Sequence, residues 1–492
     1  MTWREYHERT KHTAESLRRT QHFLDWANMP NPFRHYEGVP MLDLPADPPP
    51  PLISAVEVLQ GRAGTTETRD GATFLSQLMF YSASISATKR VQSTGYSYAL
   101  RVNPSSGNLH PTEFHFYTRG LADWPDGLYH YRPSSHMAEQ RATGKCPGKL
   151  PVTDAPLVFV LTSIAWRESW KYRDRAYRYC LHDIGHAWQA LTLAARSMGC
   201  QTCAFGQFRD DSVSENCLLA KDEWPMLIVA VQGPSIPRKK SDPVETILYG
   251  GEPNQLSEDQ VRYPLIERIH EATKLQTETT SLAPHEPEPS GHGEIRLPSP
   301  VSKERTFGDV ARMRRSALDF RGGEELLSLP QLSTILAATE APLFADFATA
   351  RFVQLYLYVH RIDGLVPGLY RYWSEHSELQ ELKRGDLRPV AAALSLGQNL
   401  AGNACVAFSM IGDFEAATRI YGDRGYRYVH FEAGALGQRM YLAAEAVGLR
   451  ATGIGAFFDE EVHRYLSWTL VPGQVVYHFA IGYPILDPRL EA

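Results

Sequence analysis

At 492 residues the chain is too long for one ordinary domain, and its 43% hydrophobic and 22% charged content is that of a folded protein with a sizeable core. Lys plus Arg number 50 and Asp plus Glu 56, a formal net charge of −6 that provides no basic footprint for nucleic acid. The first residues lack the apolar run of a signal peptide and no window reaches the roughly 18 apolar residues of a membrane span, so the expectation is a cytoplasmic protein away from membranes.

Residues 1–54 read as a polar N-terminal extension, in which the unbroken run Pro48 to Pro51 favours extended polyproline structure. A first globular unit is expected over 55–235. Its stretch from Arg101 to Glu113, RVNPSSGNLHPTE, is by itself a tight turn: Pro104 fixes one dihedral, Gly107 permits a positive one, and Ser105, Ser106 and Asn108 can satisfy loose backbone groups. The same two hydroxyls and amide beside a glycine could also form a hydrogen-bonding cup for a flat heteroaromatic ligand, although the stretch alone favours the turn. Strands are expected at 113–118, 157–162 and 226–231, where short apolar or alternating runs are bounded by turn residues. Between the last two, Tyr177, Leu181, Ile184, Trp188, Leu191, Ala195 and Met198 recur at spacings of four and three, the stripe of one long helix.

Two features of this helix and its exit invite a metal reading. His182 and His186 are four apart, but the glutamate of an HExxH motif is absent and a structural role is favoured. Cys200 and Cys203 form a CxxC without a second pair to complete four zinc ligands, and packing is the expected role. No metal site is therefore assigned. Six cysteines in this length do not make a disulfide framework.

Residues 236–300 read as a connecting segment, with a helix near Tyr263 to Lys274 and then five prolines between Ala283 and Pro300. The second unit, 301–492, repeats the first. GLYHY at Gly127 is answered by GLYRY at Gly368, and DRAYRY at Asp174 by DRGYRY at Asp423. From there the match is ungapped: Asp174 and Asp423, Gly185 and Gly434, Gln189 and Gln438, Gly206 and Gly455, Gly233 and Gly482 are all 249 apart. The His pair and the cysteines fall opposite Phe431, Ala435, Leu449 and Thr452. Two copies of one α+β unit in a single chain imply a pseudo-twofold dimer with the two long helices filling the interface.

The turn RVNPSSGNLHP together with MRRSALDFR at Met313 to Arg321 resembles the two flavin-binding signatures of the nitroreductase superfamily, whose members bind FMN at a homodimer interface. Within that superfamily YHERTKH, GLYHY and WKYRDRAYRY are similar to the SagB-type dehydrogenases, which oxidise azolines in thiazole/oxazole peptide biosynthesis. The resemblance implies two tandem nitroreductase-like domains, an FMN cofactor, a small-molecule or modified-peptide substrate, and biosynthetic partner proteins. It matches Arg314, Arg315 and Ser316 to the phosphate and ribityl ligands. Leu318 stands at the family's next basic position, leaving one cation to be supplied by Arg321 or by a C-terminal residue such as Arg489. Pro104, Ser105, Ser106 and Asn108, in the segment that Arg101 opens and with Arg101 counted among them, match the turn that a partner subunit lays against the flavin. Gly455 and Ala456 match the backbone beside the reactive flavin nitrogen. Lys171 and Tyr172 match the Lys-Tyr pair implicated as catalytic in the azoline oxidases, whereas the second copy has Ile420 and Tyr421.

The copies are unequal. Gln60 to Gly71 of the first lacks the ArgxSer element, and the second has PLFADFATA from Pro342 in place of the PSSGN turn. The retained halves are complementary, which implies one FMN per chain and a dismantled second site. Two other functions compete with the dehydrogenase: an NAD(P)H-dependent nitro, quinone or enone reductase on the same flavin, and a flavin-free interaction protein that keeps only the fold.

Overall fold

The computed structural model describes residues 1–19, 23–144, 154–240, 245–276, 291–301, 305–348, 351–466 and 473–491. Each unit is built on a seven-stranded antiparallel sheet. In spatial order the first comprises Met41–Asp43, Met137–Thr143, Gly127–Arg132, Thr112–Thr118, Leu157–Ser163, Trp224–Gln232 and Gln201–Phe205. The second follows the same order with Ile295–Arg296, Glu378–Arg384, Gly368–Trp373, Val353–Val359, Val406–Gly412, Gln474–Gly482 and Arg450–Ile454. The inner strands Leu157–Ser163 and Val406–Gly412 are mostly apolar and covered on both faces: every residue of each is buried. The tandem α+β arrangement expected from the repeat is therefore the fold.

The helices Ala176–Ser197 and Gly425–Ala446 lie between the sheets, and every residue of both is buried. An apolar stripe alone would bury one side; here the second side packs on the other helix. They cross at Gly185 and Gly434, where a Cβ on either glycine would overlap a backbone carbonyl of the other helix, Phe431 or His182 respectively. The crossing point is thus occupied by residues 249 apart, as a pseudo-twofold axis requires.

Charge follows the same symmetry. Arg175 and Arg178 each bond Asp459 at 2.9 Å, while Arg424 and Arg427 bond Asp210 at 2.6 and 2.7 Å. Each aspartate is buried and receives two guanidiniums from the other unit, so its charge is compensated across the interface. The repeat also reaches further than the ungapped region. Helices Trp3–Arg9 and Pro264–Ala272 end in HERTK and HEATK, and Thr10 Oγ1 accepts from Arg178 Nε (3.1 Å) as Thr273 Oγ1 accepts from Arg427 Nε (2.8 Å). The N-terminal extension and the connecting segment thus each supply one helix that seals an arginine cluster. The signal in the sequence was the HExTK pair, 263 residues apart. Of the linker prolines, Pro284, Pro287 and Pro289 lie outside the described residues. No helix among the described residues is long and apolar enough to cross a membrane.

Candidate active site between the two units

A cavity of about 330 Å³ opens between the units and takes its walls from both. The first unit contributes the hairpin Ile85–Arg90 and Ser97–Arg101, the turn at 103–108, and one face of the long helix. The second contributes Arg314, Ser316, Tyr441, Tyr477 and the backbone from Thr452 to Ala456. Of the residues singled out in the sequence, Arg101, Pro104, Ser105, Ser106, Asn108, Tyr172, Arg314, Ser316, Gly455 and Ala456 all line this one cavity.

The turn is held from behind. Ser105 Oγ donates to Asp183 Oδ2 at 2.6 Å, and Ser106 donates to the same carboxyl through its backbone N–H (3.1 Å) and its hydroxyl (3.0 Å). Asn108 Nδ2 donates to Ala99 O at 2.9 Å, fixing the turn against the hairpin. The expected cup of free hydroxyls is therefore corrected: both serine hydrogens are given to Asp183, and the turn is a rigid wall. Burial pushes the Asp183 carboxyl up to about 7 against the hydrogen bonds from Ser105 and Ser106. Asp183 was missed in the sequence, although an acid recurs at its counterpart, Glu432, inside an otherwise apolar helix stripe.

Lys171 and Tyr172 end the helix Ala165–Tyr172, which stops where Arg173 takes a positive φ of 53°. Gly107, at φ 59°, lies under both side chains: a Cβ there would stand 2.6 Å from Tyr172 Oη and 3.1 Å from Lys171 Nζ. The two polar tips thus converge over a backbone that no side chain obstructs. Tyr172 lines the cavity; Lys171 does not, although its Nζ lies beside Gly107, which does. Burial holds the Tyr172 phenol well above its usual pKa, so it is a hydrogen-bond donor at neutral pH.

On the opposite wall, Arg314 is buried and donates to the carbonyls of Val102 (2.9 Å) and Arg101 (3.2 Å), tying the second unit to the first unit's turn. Its Nη1 has no partner. Ser316 Oγ lies 2.9 Å from Tyr441 Oη, which accepts from Gly453 N at 2.8 Å. Arg315 stands apart: its guanidinium is spent on Ser86 and on the carbonyls of Arg312 and Arg314, and it does not line the cavity. Nor do the two substitutes considered for Leu318, since Arg321 pairs with Glu325 in solvent and Arg489 with Asp487. Besides Arg101 and Arg314, Lys89 of the first unit's hairpin lines the cavity, its Nζ 2.8 Å from Asp487. No local pattern marks Lys89, because only tertiary contact with the C-terminal segment brings it there.

The histidines divide. His182 stacks on the Tyr477 ring (centroids 4.5 Å apart), as a packing role requires. His186 lines the cavity with Nε2 3.1 Å from Tyr477 Oη, and burial lowers its pKa to about 3, leaving a neutral imidazole. The structural role favoured for it from sequence is thus incomplete. Cys200 is buried in the core, and Cys203 lies on the edge strand Gln201–Phe205.

At the pseudo-equivalent position the chain fills its own site. Phe347 stacks on Tyr428, the counterpart of Tyr179, with centroids 4.2 Å apart and planes 11° from parallel. Asp346 accepts from the backbone N–H groups of Gly206 (2.7 Å) and Gln207 (3.1 Å), the counterparts of Gly455 and Ala456. Thr349 and Ala350 of the same segment lie outside the described residues.

The family model described as Nitroreductase matches residues 96–233 and 311–483, one stretch in each unit and both bordering the cavity. The chain belongs to the nitroreductase family. A Methanocaldococcus jannaschii protein named as a nitroreductase is 32% identical over 181 residues, 35% of this chain and 89% of its own length. The trifolitoxin operon protein TfxC of Rhizobium leguminosarum bv. trifolii is 31% identical over 122 residues, 24% of this chain and 34% of TfxC. A crystal structure from Anabaena variabilis, also described as a nitroreductase, superposes with a TM-score of 0.79 at 25% identity and covers 98% of this chain and 99% of its own. This nitroreductase-family oxidoreductase therefore shares its whole two-unit architecture with a solved protein.

Proposed function

We propose that this protein holds one FMN in the composite cavity and oxidises azoline-like rings of a modified peptide or small molecule, in the manner of the SagB-type dehydrogenases. The donor set fits the cofactor. Arg314, with an unpartnered Nη1, Lys89 and Ser316 would hold the phosphate end; the turn Ser105–Asn108 and the side-chain-poor backbone Gly453–Ala456 would flank the ring. FMN, when bound, supplies a ring that accepts a hydride.

The observation that carries this reading is the convergence of Lys171 Nζ and Tyr172 Oη over Gly107 in the first unit, where the second has isoleucine in place of the lysine. In a dehydrogenation a proton leaves one substrate atom as a hydride leaves another, and an unprotonated Lys171 Nζ would receive that proton. Tyr172 Oη orients the ring by donating a hydrogen bond. TfxC, a relative named for a trifolitoxin operon, supports a biosynthetic setting with partner proteins.

Lys171→Ala should lower turnover of a model azoline by about 10²- to 10⁴-fold while released-FMN absorbance stays at the wild-type level. Flavin lost with the lysine, or turnover unchanged, would reject the assignment. A reductase on the same cofactor would instead be bleached rapidly by NADH or NADPH under anaerobic conditions.

A further inference from the structure

Behind the turn stand two carboxyl groups. Asp183 lines the cavity and receives the serine hydrogen bonds; Glu168, one helical turn before Lys171, is fully buried and neither of its oxygens has a hydrogen-bond partner. An ionised carboxylate there would bear a large desolvation cost, and the one hydroxyl hydrogen of nearby Ser105 is already given to Asp183. Burial pushes Glu168 well above the usual carboxylate range and the neighbouring Asp183 charge adds to that, outweighing the opposite pull of Lys171 and the Ser105 hydroxyl. Two carboxyls sharing a dry site do not both ionise. The fold does not require this arrangement, because the counterpart of Glu168 is Ala417, and the counterpart of Asp183, Glu432, is instead tied to the backbone N–H groups of Phe352 (3.0 Å) and Val353 (3.1 Å). Glu168 is thus a buried acid peculiar to the unit that also carries Lys171.

We propose that Glu168 and Asp183 are positioning residues that hold one proton between them, without a direct hydrogen bond, beneath the cavity and take up a second one, from solvent, for each pair of electrons delivered to the cofactor above them. The proton returns to solvent when the electron pair leaves to an acceptor such as dioxygen, so charge balances in both directions. The inference rests on the FMN reading and extends it to either direction of electron flow. The groups facing the pair are Lys171 and Tyr172 beside Glu168, Tyr179 and Cys180 on the long helix, Ser105 and Ser106 on the turn, and Tyr441 and Tyr477 from the second unit. Lys171 is the one basic side chain among them, and added negative charge in the cavity acts on a pair with room for one more proton.

The test reconstitutes wild type, Glu168→Gln and Glu168→Ala with FMN and follows the two-electron midpoint potential from pH 6 to 8, using a mediated chemical reductant. Alanine is the substitution the fold already accommodates at position 417. Loss of one coupled proton changes the pH dependence of the equilibrium constant by up to tenfold per pH unit, about 30 mV for two electrons, so both variants should show a flatter slope. In parallel, infrared difference spectra of the unloaded proteins at pH 7 should contain a protonated-carboxyl band in wild type that Glu168→Gln removes. Parallel potentials in all three proteins, or no protonated carboxyl in wild type, would overturn the proposal. Failure of the chain to take up FMN would refute the cofactor reading and the coupling with it, while the infrared band decides separately whether the pair stores a proton.

Discussion

The two pseudo-equivalent sites of this molecule share their frame and differ in their contents. Around one, Tyr179 stands at the wall of an open cavity and donates to Gly455 O at 3.0 Å. Around the other, Tyr428 is covered by Phe347, and Asp346 has taken the backbone N–H groups of Gly206 and Gln207, whose counterparts Gly455 and Ala456 line the open cavity. The interface between them has kept its symmetry in helix crossing and ion pairs alike. Stability therefore rests on what the copies share, and chemistry on where they diverge. In a homodimer every substitution would strike both sites; fusing the copies lets one site be filled for packing while the other is elaborated.

The largest effect should come from the shared part. Asp210→Asn and Asp459→Asn each strand two buried arginines, and each should cost about 3–5 kcal/mol, measurable as a shift in denaturant midpoint. Near-equal losses would sharpen the symmetry; a large loss at one aspartate only would break it. Burial would raise the Asp210 carboxyl, but Arg427 and Arg424 beside it hold it down to about 2. A depressed carboxyl contributes stability above its unfolded pKa, near 4, and loses it as pH falls through the folded value. The gap between wild type and Asp210→Asn should therefore be constant from pH 7 to 5 and close between about pH 4 and 2.

Much of this division was legible in the sequence. The 249-residue repeat carried the fold, since identical spacing of DRxYRY and the helix glycines leaves little freedom in how two such units pack. The complementary losses at Gln60–Gly71 and Pro342 pointed to one composite cavity. What stayed hidden depended on three-dimensional contact. Arg315 follows Arg314 in sequence, yet the chain leaves the helix Phe307–Met313 at that point and turns its guanidinium away to Ser86. Lys89 enters from a hairpin with no counterpart in the second sheet. Asp183 and Glu168 are hidden for another reason: Glu168 sits in the charged run RESWKYRDR and Asp183 beside His182, and an acid in either setting looks like surface until its burial is seen.

A medium effect tests the divergence directly. Arg314 is the second unit's cation in the cavity, and loss of one charge-assisted phosphate contact is worth on the order of 1.5–3 kcal/mol. Arg314→Ala should therefore weaken FMN binding by about ten- to a hundredfold. Wild type should release one FMN per 492-residue chain. Two per chain would mean that Phe347 yields to the cofactor, and the contrast between filled and open sites would fall.

The smallest effect belongs to Arg62, which lies where the first unit would carry its own phosphate-binding arginine. It pairs with Glu57 on the surface, with 69% of its side chain exposed, and does not line the cavity between the units. An exposed pair of this kind is worth about 0–1 kcal/mol, because water screens both charges and holding two long side chains costs entropy. Arg62→Ala should leave flavin content at the wild-type ratio and shift the denaturant midpoint only slightly. Arg62 and Arg314 thus form a matched pair of arginine removals in the two copies. If Arg62→Ala lowered flavin content as Arg314→Ala does, the first unit would have retained a phosphate site of its own, and the account of one kept site and one filled site would be wrong.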